Sequence, residues 1–96
     1  MNGIGMKELE ELLSHGHEAE FTYHDSNYVI QPELADGKTM LVIWDCSPAG
    51  KCICSVDIPE HGDIPATSIE CILNKKCFSG KSFMEIESEI TVDVIF

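Results

Sequence analysis

Residues 18–31 read EAEFTYHDSNYVIQ, and the order of polar and apolar residues here sets the fold. In EAEFTYH, polar Glu18, Glu20 and Thr22 alternate with Ala19, Phe21 and Tyr23, the period of two that marks a strand with one buried face. The turn formers that follow give way to YVIQ, which predicts an antiparallel hairpin with a two-residue loop at His24-Asp25 or at Asp25-Ser26. Either register pairs odd with even positions. Tyr28 and Ile30 therefore share the core face with Phe21 and Tyr23.

Upstream, Met6, Leu9, Leu12 and Leu13 recur at helical spacing with Glu8 and Glu11 on the opposite side, so KELEELLS predicts an amphipathic helix that ends at Gly16. Downstream, Pro32 and ELADGK are expected to interrupt the sheet. TMLVIWDC is apolar at every position from Met40 to Trp44 and predicts a strand that is central or buried on both faces. A loop around SPAG leads to a fourth strand, KCICSVDI, and PEHGDIP is irregular. Two capping boxes then open helices, one at Thr67 with Glu70 and one at Ser82 with Glu85. Lys75 and Lys76 fall where the first of these helices should end, matching its dipole. TVDVIF alternates again as a last strand. Together these elements predict one α+β domain over residues 1–96: one largely antiparallel sheet of two hairpins plus a C-terminal strand, with an N-terminal helix and two shorter C-terminal helices.

Size scaling gives such a chain a folded surface of roughly 5,500 Å² against roughly 15,500 Å² unfolded, enough burial for one core without staples. The formal charge is −11: residues 1–37 carry eight acids and one lysine, and the rest carries nine acids and five lysines. There is no arginine. Such a polyanion repels phosphate backbones, so no nucleic-acid partner is expected, and anionic membrane surfaces are disfavoured for the same reason. No apolar run approaches the roughly 20 residues of a membrane span. MNGIGMKELEELL lacks a basic segment followed by an unbroken apolar one, so no secretory signal is read, and a cytoplasmic location would keep the five cysteines as thiols.

Three of those cysteines, Cys46, Cys52 and Cys54, fall within nine residues. Strand periodicity aims Cys52 and Cys54 at one face and Ile53 at the other. A four-residue SPAG loop sets Cys46 opposite that face, whereas a five-residue loop places Cys52 across from Trp44 and brings Cys46 to the same side. Structural zinc favours paired C-x-x-C turns, which are absent, and C-x-C on a strand spreads its sulfurs by roughly 7 Å. Burial of small apolar thiols in the core is therefore preferred. The alternative is a metal or thiol-redox site built from Cys46, Cys52 and Cys54 with His61 or His24. Other catalytic patterns are missing: His24, Asp25 and Ser26 share one turn and cannot assemble a triad, and Gly80-Lys81 lacks the frame of a phosphate loop. No catalytic residue and no cofactor is assigned.

The leading helix that ends near a glycine, the hairpin EFTYHDSNYVIQP, the Trp44-Asp45 strand and the helix openings TSIECILN and GKSFMEI resemble a group of small uncharacterised cytosolic proteins of low-GC Gram-positive bacteria. The resemblance implies an α+β domain and brings no activity with it. The clustered cysteines depart from that pattern, as does His24-Asp25 where a turn closer to Asn-Gly is expected. The functional expectation is a non-enzymatic, acidic interaction or regulatory module. Its partner is another protein of basic character or a second copy of the chain, met by Glu8, Glu11, Glu18 and Glu20, with Trp44 as anchor if it lies on the less covered sheet face. The core is the expected place for Trp44.

Overall fold

The loop choice in the first hairpin falls on His24-Asp25. Strand β1 (Ala19–Tyr23) and strand β2 (Ser26–Ala35) pair antiparallel from Tyr23 opposite Ser26 to Ala19 opposite Ile30. His24 and Asp25 have φ of 48° and 64°. Two positive φ values mark the turn type whose twist matches the flanking strands. In this computed structural model, residues 1–47, 50–59 and 63–96 are described.

Pro32 does not interrupt the sheet as the sequence suggested. β2 runs through it to Ala35, and Asp36-Gly37, with φ of 51° and 76°, makes a second two-residue turn into strand β3 (Lys38–Asp45). Bond pairs alternate outward from Ala35 opposite Lys38, so Pro32 opposite Leu41 is a pair that exchanges no hydrogen bonds across β2–β3. Its missing N–H falls on the other side of β2, beyond the point where β1 begins at Ala19, and the ladder loses nothing.

β3 pairs with strand β4 (Lys51–Asp57), with Asp45 opposite Lys51, so five residues connect them. Strand β5 (Thr91–Ile95) returns to pair antiparallel with β1, and the five-stranded order is β4-β3-β2-β1-β5. The last strand thus lies beside the first. The continuous apolar run of β3 reflects burial on both faces: Leu41 and Ile43 enter the core while Val42, 5% exposed, is buried on the other face.

Helix α1 (Met6–Ser14) buries Leu9 and Leu13 and ends as expected. Gly16 (φ 84°) donates to the Leu13 carbonyl and His17 to that of Leu12, the paired bonds of a left-handed C-terminal cap. Helix α2 (Ala66–Leu73) buries Ile69, Ile72 and Leu73, but its capping box does not form: Pro65 is the N-cap, and Thr67 and Glu70 lie inside the helix. Lys75 and Lys76 are also engaged away from its carbonyls. Lys75 Nζ donates to the Ser55 carbonyl at 3.0 Å and Lys76 Nζ to Glu85 at 2.6 Å. Helix α3 (Phe83–Ile86) has the full box: Glu85 N–H donates to Ser82 Oγ at 3.2 Å and Ser82 N–H to Glu85 Oε1 at 3.1 Å.

The helices share one side of the sheet, since their buried residues join Ala19, Phe21, Ile30, Leu41, Ile43, Cys54 and Val56 in one cluster. Phe21 is its hub, stacked on Tyr28 at 5.3 Å and edge-on to Phe83 at 5.2 Å. The folded surface is 5520 Å². No described helix is long and apolar enough to cross a membrane.

Candidate functional site

The cysteine cluster of the sequence does not stay together. The five-residue connection places Cys52 across from Trp44, but the register shifts between Ile43 and Trp44, so Cys52 and Ile53 together oppose one residue. A bulge of this kind breaks the alternation. The expectation that Cys52 and Cys54 share a core face is therefore corrected: Cys54 is 8% exposed within the core cluster, Ile53 packs against that cluster, and Cys52 is exposed. Cys46 is exposed at the end of β3, where its N–H donates to the Asn27 carbonyl at 2.9 Å. Partial desolvation pushes its thiol pKa up, aided by the charges of Glu20 and Asp45.

Among the described residues no three His, Cys, Asp or Glu side chains converge to hold a metal ion. His24, the alternative fourth ligand, stacks on Tyr23 at 4.0 Å and contacts Glu89 at 2.9 Å. His61 lies outside the described residues. His15 and His17 diverge, with Nδ1 of His15 3.6 Å from Asp63 and Nδ1 of His17 2.7 Å from the Phe96 carbonyl.

Burial instead joins Cys54 to a cysteine that the sequence left apart. Cys77 follows α2 in a tight turn, its N–H donating to the Lys75 carbonyl at 2.9 Å, and packs half-buried against the core. Cys52, Cys54 and Cys77 line one cavity of about 530 Å³ with Lys75 and Lys76. Cys54 and Cys77 are neighbours in this lining, each thiol acting on the titration of the other. Burial raises both pKa values, that of Cys54 to about 12, with the Cys77 thiol adding to the rise. The Lys75 ammonium opposes the shift at each. No spacing rule could have found this pair, because it depends on where the turn after α2 meets β4.

The second arrangement is on the sheet face opposite the helices. Trp44 is half-buried there rather than in the core, a further correction. Pairing carries Glu20, Val29, Trp44 and Cys52 across four strands in one row. By alternation, Gln31, Val42 and Ser55 form the next row, with Glu33 and Asp57 beyond it at either side of Met40. The Trp44 indole N–H donates to the Glu33 carboxylate, which also accepts from Gln31 Nε2 at 2.9 Å. These bonds hold the ring in place while leaving part of it exposed. Near β5, Thr22 Oγ1 donates to Asp93 at 2.6 Å on the same side of the sheet.

The acids expected to form one surface divide between the two layers. Glu20 lies in the Trp44 row and Glu18 has the same strand parity, whereas Glu8 and Glu11 are exposed on α1, across the core. Glu33 and Asp57, which the sequence reading passed over, join the Trp44 face instead. Strand parity from Val29 reaches Glu33 once Pro32 is allowed inside β2, whereas the bulge shifts the parity of β4 and leaves Asp57 without a signal in the sequence. In comparisons with known proteins, no family model, curated protein or solved structure matches the chain.

Proposed function

We propose that the protein is a non-enzymatic interaction module of the cytoplasm that binds a basic, partly apolar segment of another protein on its helix-free sheet face. The observation that carries this reading is Trp44. Its ring is half-buried on an open face, oriented by Glu33, with Val29 and Val42 beside it. A fixed, amphipathic aromatic side chain at the centre of a patch is the usual anchor of an interface.

Charge supplies the partner's character. Glu20, Glu33 and Asp57 surround the apolar centre, and on strand parity the lysine of this face is Lys38, exposed at the tip of the second hairpin. Acids at the rim favour lysine or arginine in the partner and speed encounter, while the apolar centre supplies the short-range contact.

The experiment is a titration of isotope-labelled protein with a peptide alternating lysine and leucine, followed by amide and indole NMR shifts. Shifts centred on Val29, Val42 and Trp44 are the expected result, and Trp44→Ala is expected to weaken binding by roughly 2 kcal/mol, about 30-fold. Shifts confined to α1 and α2 would reject the site. Self-association through this face, read by sedimentation at increasing concentration without peptide, would replace the basic partner with a second copy.

A further inference from the structure

We propose that Cys54 and Cys77 are a modification site: they form a reversible intramolecular disulfide when the protein meets a low-molecular-weight disulfide of the glutathione class. Both residues line one solvent-open depression of about 530 Å³, Cys54 from β4 and Cys77 from the turn that follows α2, and Cys77 packs against the core cluster that holds Cys54. A disulfide needs both sulfurs close and both β-carbons directed at one another, and a strand packed against a turn from a different element supplies that more readily than neighbours on one strand.

Cys52 is the competing partner, and the geometry disfavours it. Positions two apart on a strand are separated by roughly 7 Å. The bulge also leaves Cys52 exposed, with its thiol directed to the Cys54 carbonyl at 3.5 Å rather than to the Cys54 sulfur.

The chemistry balances as two exchanges. Cys77, the more exposed of the pair, loses its proton and attacks one sulfur of the oxidised glutathione, forming a mixed disulfide and releasing one glutathione thiolate. Cys54 then loses its proton and attacks the Cys77 sulfur, releasing the second glutathione. Two protein thiols are oxidised by two electrons, the glutathione disulfide is reduced to two thiols, and the two protons pass to the departing thiolates. Lys75, anchored on the Ser55 carbonyl, supplies the positive charge beside both sulfurs that favours each thiolate. Both thiols are held protonated at neutral pH, so exchange is slow there and accelerates as pH rises.

The product ties β4, at one edge of the sheet, to the chain beyond α2. It closes the intervening loop and restricts the unfolded chain more than the folded one. The test is to incubate reduced, purified protein with oxidised glutathione at pH 7.5 and pH 9, block free thiols and map cysteine peptides by mass spectrometry. The expected result is a monomer whose first internal cross-link joins Cys54 to Cys77. It forms several-fold faster at pH 9, is reversed by dithiothreitol, and raises Tm by roughly 5 °C or more. In Cys77→Ser the link is lost, and Cys54 stays unmodified because it is the deeper thiol. A first link between Cys52 and Cys54, or glutathione on Cys46, Cys52 and Cys71 with Cys54 and Cys77 both still alkylatable, overturns the proposal. Peptide mapping on the unmutated protein decides between these outcomes even if the variant fails to fold.

Discussion

Single residues on β4 show how far a side chain's chemistry depends on which way the strand turns it. Cys52 and Cys54 differ by two positions, yet one is exposed and the other lies in the core with its pKa pushed up to about 12. A raised pKa means that the folded state binds the proton more tightly than the unfolded state does. Cys54 therefore contributes stability that is complete below the ordinary thiol value and is lost as pH rises from there through about 12. Urea midpoints taken from pH 8 upward are expected to fall, and Cys54→Ala is expected to flatten that slope because the titrating group is gone. Trp44 makes the complementary point. Its size and apolarity suggested the core, but strand parity places it with Val42 on the opposite face from Leu41 and Ile43.

At the scale of elements, local motifs that looked identical in sequence behave differently. Thr67 with Glu70 and Ser82 with Glu85 have the same spacing, but only Ser82 occupies the N-cap of its helix. Pro65, whose fixed φ suits the residue leading into a helix, lets α2 begin at Ala66 and leaves Thr67 nothing to cap. Ser82→Ala is expected to cost about 0.5–2 kcal/mol in chemical denaturation, whereas Thr67→Ala changes stability by less than about 0.5 kcal/mol. The two sheet turns give a second contrast. Asp36-Gly37 has glycine at its second positive-φ position, while His24-Asp25 holds two side chains in the left-handed region. Asp25→Gly relieves one of them and is expected to stabilise the hairpin by about 0.5–1 kcal/mol, read as a rise in Tm. That both turns have two residues follows from composition once the register is known. Pro32 hid the second one, because its harmlessness depends on β1 starting no earlier than Ala19.

Across the whole molecule, the charge of −11 on a folded surface of 5520 Å² packs acids closely with only six lysines among them. Self-repulsion of this kind destabilises the compact state and is screened by salt, so raising sodium chloride from about 10 mM to about 0.5 M is expected to raise Tm by roughly a few degrees. The same change weakens binding of the basic peptide, because that attraction is also electrostatic. By itself, the sequence determined the α+β class, the first hairpin and its core face, the end of α1 and the burial of β3. These follow from the period of apolar residues and from turn chemistry within a few neighbours, which operate before any long-range contact forms. Tertiary structure alone decided that the last strand joins the first, that the bulge separates Cys52 from Cys54, that Cys77 meets Cys54 and that Trp44 stays on the open face. Each of these depends on which distant surfaces exclude water together, and burial is a property of the packed layers rather than of any one segment.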